Sequence, residues 1–219
     1  RRNHLLVVPI DGGAAIDLTS AGTGTHTVYR TTWGTTPLLF GPGVWDIGFL
    51  FYLAPGASIY LDAGAVVRGN FDLRYSAPTG VTIQGPGVLS AATSTSEFVL
   101  GLSNFFDRIR YAAFLGYDGA NFSFDTEVRD VTVVAFPYYS SFEGVNRWRG
   151  VKMLAPWTWS CDGFKFSYKS NVDLSCSATD CFALVADDAL YLDDYFASAT
   201  ITGCFIATVQ NSCAHSTYW

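Results

Sequence analysis

This sequence has very little helical periodicity and very little charge. Only 15% of its 219 residues are Asp, Glu, Lys or Arg. Basic residues are the scarcer sign, 13 Lys and Arg against 19 Asp and Glu, for a net charge of −6. A polyanion partner needs a basic face, so nucleic acid is excluded and a neutral polymer is the more natural ligand. Gly, Pro or Asp interrupts every apolar run before it reaches membrane-spanning length, so no membrane partner is expected. No cysteine and histidine spacing makes a zinc pattern. The five cysteines (Cys161, Cys176, Cys181, Cys204, Cys213) all fall in the last third of the chain. They read either as one or two disulfides with a thiol left over, or as buried small apolar residues. No signal peptide is visible, and the chain opens abruptly on Arg1-Arg2-Asn3, as a processed segment would. The sequon Asn121-Phe-Ser123 marks Asn121 as a candidate glycosylation site and points to a secreted, extracellular protein.

Glycine and aromatic residues are abundant: 21 Gly, 17 Phe and 12 Tyr. They suit an all-β domain with many tight turns, and the chain is long enough to bury a substantial core. Residues 1–35 read as a lead-in of short strands and a polar loop, with His4 and His26 on the surface. From Leu38 a different pattern begins, in which apolar strands of a few residues are cut repeatedly by Gly or Pro-Gly. Small alternating units recur at Gly80-Val-Thr-Ile83, Asp130-Val-Thr-Val133, Gly150-Val-Lys-Met153, Asn171-Val-Asp-Leu174 and Ala199-Thr-Ile-Thr202. Their spacings are 50, 20, 21 and 28 residues. A short repeat built only from strands predicts a solenoid over residues 36–219, and a parallel β-helix in particular. The sharpest internal match, Asp180-Cys-Phe182 against Gly203-Cys-Phe205, predicts that Cys181 and Cys204 stack on neighbouring coils. Residues 91–125 fit the pattern poorly and read as an insertion over a groove, with a short helix at Asn104–Leu115.

Acidic residues concentrate in one stretch, Asp162 to Asp194, which holds Asp162, Asp173, Asp180, Asp187, Asp188, Asp193 and Asp194. Asp162 lies in Cys-Asp-Gly, and the pair Asp187-Asp188 follows the apolar run Cys181–Ala186. Adjacent carboxylates beside an apolar segment repel each other and lose solvation, which raises at least one pKa, as an acid/base pair requires. Trp148, Trp157 and Trp159 precede Asp162. They read either as flat faces for sugar rings or as core aromatics, the groove role falling mainly to Trp157 and Trp159. Lys165 and Lys169 read as substrate contacts or as solvated surface lysines.

Five motifs follow one another in a fixed order: Tyr52-Leu-Ala-Pro-Gly-Ala-Ser-Ile-Tyr60, Gly69-Asn-Phe71, Ile83-Gln-Gly-Pro-Gly-Val-Leu89, Trp159-Ser-Cys-Asp-Gly-Phe164 and Val185-Ala-Asp-Asp-Ala-Leu190. The series resembles the right-handed β-helix glycoside hydrolases. It is most like the dextranase and isopullulanase family (family 49) and next most like the polygalacturonases (family 28). The resemblance implies a right-handed parallel β-helix and an endo-acting, inverting hydrolysis of α-glucan by Asp162, Asp187 and Asp188, without metal or cofactor. It gives the general acid to Asp187 and the activation of water to Asp162 or Asp188. Inversion needs two carboxyl groups roughly 6.5–9.5 Å apart. Trp157, Trp159, Lys165 and Tyr191 are read as substrate contacts, although where dextranases continue Asp-Asp-Ala-Ile-Lys this chain has Ala189-Leu190-Tyr191, so a groove lysine is lost. The Gly-His-Gly of polygalacturonases is missing, with His215 a displaced counterpart. So are the cations that grip an acidic sugar, which disfavours pectin.

Two other functions are weighed against hydrolysis. One is a structural module that keeps the β-helix without turnover and self-associates through an open C-terminal coil. The other is a calcium-dependent lyase using the acid cluster as oxygen ligands, which lacks an evident arginine base.

Overall fold

A computed structural model describes residues 3–8, 16–17, 25–30, 37–74, 80–90, 112–116, 125–134, 136, 141–142, 144–156, 161–166, 175–192, 198–210 and 214–216. Among these residues there is no helix, and none long and apolar enough to cross a membrane. The described strands pair in parallel and form three sheets, the architecture of a parallel β-helix.

The first sheet contains β1 (Asn3–Val8), β3 (Thr25–Arg30), β5 (Gly43–Tyr52), β7 (Ala65–Asp72) and β9 (Val88–Ser90). It continues through β12 (Thr132–Val134), β15 (Lys152–Ala155), β18 (Phe182–Val185) and β21 (Phe205–Thr208). The second sheet starts with β2 (Ile16–Asp17), β4 (Leu38–Phe40), β6 (Ser58–Leu61) and β8 (Thr82–Gln84). It goes on to β11 (Glu127–Arg129), β14 (Arg147–Arg149), β17 (Ser175–Thr179) and β20 (Ser198–Thr202). The third sheet is β16 (Phe164–Phe166), β19 (Leu190–Leu192) and β22 (Ala214–Ser216). The coils β14–β15–β16, β17–β18–β19 and β20–β21–β22 each take one strand from every sheet, and the earlier coils draw mainly on the first two. The strands of residues 1–35 belong to the first and second sheets, so the coils run on into the N-terminal segment.

From β11 onward the corner between the second and first sheets is two residues long. Its first residue sits in the left-handed region: Asp130 at φ 61°, Gly150 at 62°, Asp180 at 53° and Gly203 at 66°. Gly and, less readily, Asp tolerate that conformation. The second residue (Val131, Val151, Cys181 or Cys204) packs on or into the core. This corner explains the Asp130 and Gly150 units. Their partners on later coils are Asp180-Cys and Gly203-Cys, whereas Gly80–Ile83 and Ala199–Thr202 lead into or lie on the second sheet. The unit at 171–174 lies outside the described residues.

The pairing expected of Asp180-Cys-Phe182 and Gly203-Cys-Phe205 is present. Phe182 is in register with Phe205, and the rings stack at 5.1 Å and 11°. The Cys181 N–H donates to the Cys204 sulfur at 3.4 Å. Cys161, Cys176, Cys181 and Cys204 are all free thiols, the first three buried, which favours the apolar reading over disulfides. Cys213 lies outside the described residues.

A short helix is expected at Asn104–Leu115, of which residues 104–111 lie outside the described residues. Phe114–Leu115 is instead a strand, β10, paired with β7 and with β13 (Ser141–Phe142). Ala112 to Leu115 are fully buried, so this part of the proposed insertion belongs to the coil itself. Phe114 takes a place in an interior aromatic column, which fixes it in the stack. Phe51 meets Phe71 edge-on at 6.1 Å, and Phe71 stacks on Phe114 at 6.3 Å. Trp148 then bridges Phe114 (5.6 Å) and Phe164 (5.5 Å). Trp148 is 1% exposed, which places it in the core and away from any groove.

Candidate active site

The aspartates come together where the first sheet hands over to the third. Asp162 precedes β16, and Asp187 and Asp188 precede β19, one coil on. Phe164 pairs with Leu190, and continuing that register places Asp162 opposite Asp188. Backbone hydrogen bonds close the two segments together. The Asp187 N–H donates to the Cys161 carbonyl (3.1 Å), Gly163 to Asp188 (2.8 Å) and Phe164 to Ala189 (3.1 Å).

Gly163 is required here for space. A Cβ at this position would collide with the Ala189 carbonyl oxygen of the next coil. The glycine of Cys161-Asp162-Gly163 thus serves a close approach between coils.

One oxygen from each of Asp162, Asp187 and Asp188 can be chosen so that all three lie within 4.8 Å of one another. Asp162 and Asp188 are buried and Asp187 is half-buried. Like charges facing each other across neighbouring strands destabilise them unless a proton or a cation intervenes. Burial is the main influence on Asp162 and raises its pKa from 3.8 to about 8. The Lys165 ammonium works the other way, while the charges of Asp187 and Asp188 raise it further. At neutral pH Asp162 therefore holds a proton beside two other carboxyl groups. The same three oxygens are close enough to share a cation. Lys165 already supplies positive charge beside Asp162, which opposes that use.

Lys165 is 6% exposed, not solvated, and its Nζ lies 4.2 Å from the centroid of the Tyr191 ring, its in-register neighbour. His215 follows in the same row, opposite Tyr191, by the backbone register of β19 and β22. Sequence reasoning treated Lys165 as one surface contact among several and did not connect it with Tyr191. The signal available was the register itself: Lys165 follows Asp162 by three residues and Tyr191 follows Asp188 by three. Trp157, Trp159, Lys169 and the sequon asparagine Asn121 lie outside the described residues.

No family model matches the chain, and no curated protein matches it in sequence.

Proposed function

We propose that the protein is a glycoside hydrolase of the dextranase type, secreted and acting within neutral α-glucan chains. The observation that carries this reading is the convergence of Asp162, Asp187 and Asp188 from neighbouring coils, with burial pushing Asp162 up to about 8. Glycoside hydrolysis needs one carboxyl that holds a proton for the leaving oxygen and another that is ionised. Asp162 meets the first requirement at neutral pH. Asp187, half-buried and reachable by water, is placed to act on the attacking water. The resemblance to family 49 assigns the acid to Asp187, whereas burial favours Asp162. A cluster of carboxylates in a chain of net charge −6 repels acidic sugars, so the substrate is neutral.

Reducing-sugar release from dextran, pullulan and polygalacturonate tests the proposal. Release is expected from dextran or pullulan and not from polygalacturonate. Asp162→Asn should lower it by about 10²–10⁴-fold. Activity should fall on the alkaline side as Asp162 loses its proton near pH 8. A folded protein that releases sugar from none of the three polymers rules the hydrolase out. Carboxyl spacing also bears on stereochemistry. Retention uses carboxyl groups about 5–5.5 Å apart and inversion groups roughly 6.5–9.5 Å apart. Proton NMR of the first products distinguishes the two outcomes by the anomer released.

End-to-end assembly of the β-helix is a second reading, favoured by one observation. Ile201, Phe205 and Val209, on and just beyond the last strands of the first two sheets, are 37%, 58% and 55% exposed. A second copy of this chain seated there predicts concentration-dependent growth in light scattering. Ile201→Asp with Val209→Asp would abolish it. A monomer at all concentrations removes this reading.

A further inference from the structure

We infer that Lys165 is a positioning residue, an internal counter-ion that is seated on the Tyr191 ring and sets the charge of the Asp162–Asp187–Asp188 cluster. For its catalytic meaning the inference rests on the hydrolase reading, but its test needs no turnover.

The argument starts from burial. An ammonium withdrawn from water is costly unless an aromatic face or an anion compensates it. Lys165 is 6% exposed, with its Nζ 4.2 Å from the Tyr191 centroid. The ring is fixed in turn by the parallel pairing of β16 with β19, which puts residue 165 directly opposite residue 191. The charge is thus held in one place, with little freedom to swing toward a ligand.

That place is beside the carboxyl cluster. Among the described residues, the charges acting on Asp162 are Lys165 from its own segment and Asp187 and Asp188 from the next coil. The backbone N–H of Asp188 also favours the charged form of Asp162. On the coil beyond, His215 occupies the register position opposite Tyr191. Three carboxyl groups this close would otherwise carry more negative charge than a buried site tolerates, and uptake of further protons would be the remedy. Lys165 removes part of that pressure. It leaves the cluster with a proton on Asp162. The same reasoning excludes Lys165 as a grip for an acidic sugar, because its charge is already compensated inside the protein.

The test is a carboxyl titration by carbon-13 NMR on the folded, Asp-labelled chain, with the Asp162 signal assigned by its loss in Asp162→Asn. In Lys165→Met the apolar stem remains and the charge goes, so the Asp162 midpoint should rise by about 1 unit or more. Lys165→Arg keeps the charge and should leave the midpoint near that of the wild type. A folded Lys165→Met protein whose midpoint does not move overturns the inference. If that variant fails to fold, Lys165→Gln, which removes the charge and keeps a polar stem, is titrated in its place. A rise of the Asp162 midpoint in Lys165→Gln supports the counter-ion, and an unmoved midpoint overturns it. The two proposals fail separately. Lack of sugar release with the shift present removes the hydrolase alone, and sugar release without the shift removes the counter-ion alone.

Discussion

Asp162 titrates where water is scarce, and that ties stability to pH. Its folded pKa of about 8 lies above the unfolded value of 3.8. Between those values the folded state binds a proton that the unfolded state does not, so stability is full below about pH 4 and declines as pH rises toward 8. Asp162→Asn should remove this decline. The variant would be more stable than the wild type near pH 8, by at most ~5 kcal/mol. Urea unfolding at several pH values checks it, and parallel curves for the two proteins would contradict the assigned burial effect. The thiols give a second residue-level expectation. Burial pushes Cys176 and Cys181 up to about 11, so few of their thiols are ionised at pH 8. Iodoacetamide should label both slowly in the native protein and rapidly in denaturant, with mass spectrometry locating the adducts. Rapid native labelling of Cys176 would show that its coil opens.

The two-residue corner is the element that organises the later coils. In the corner rows an aspartate on one coil lies over a glycine on the next. A Cβ on Gly150 would stand 2.5 Å from the Asp130 carboxylate, and one on Gly203 would meet the Asp180 carboxylate in the same way. Both glycines also have positive φ. Gly150→Ala and Gly203→Ala should therefore each cost at least about 1–2 kcal/mol, read as a fall in Tm. Gly150→Ala should be the worse of the two, since β14 and β15 have coils on both sides. The same corner shows why the repeat was only partly legible. Asp and Gly are interchangeable at the left-handed position, and Val and Cys at the inward one, so Asp130-Val, Gly150-Val, Asp180-Cys and Gly203-Cys form one row in which no letter is common to all four. The Val-Thr and Thr-Ile units looked alike because strands of both sheets alternate with the same period of two. The solenoid was readable because Gly and Pro-Gly punctuate short apolar runs. Asp162, Asp187 and Asp188 were readable from acidic residues adjoining an apolar run. The seating of Lys165 on Tyr191 was missed, although their equal three-residue offsets from Asp162 and Asp188 carried the signal, because using it requires knowing that the two segments pair across coils.

Across the whole molecule, the aromatic column joins early coils to the active-site segment, ending at Phe164, two residues past Asp162. Trp148 sits between Phe114 and Phe164, and its indole N–H has no acceptor among the described residues. Trp148→Ala should cost about 3–5 kcal/mol through the cavity it opens. Trp148→Phe should cost far less, because it gives up no hydrogen bond. Thermal melts rank the two, and equal losses would show that the indole's size is not what the column needs. Coil length brings out a further asymmetry. The corner between the second and first sheets stays at two residues from Arg129 to Thr132, Arg149 to Lys152, Thr179 to Phe182 and Thr202 to Phe205. The passage from first to third sheet runs from Ala155 to Phe164 on one coil and from Val185 to Leu190 on the next. One edge of the prism keeps count, while another absorbs gain or loss of residues without shifting the parity of any strand. Heritable length changes should accumulate along the edge that carries the aspartates, where chemistry can be revised while the scaffold stays in step.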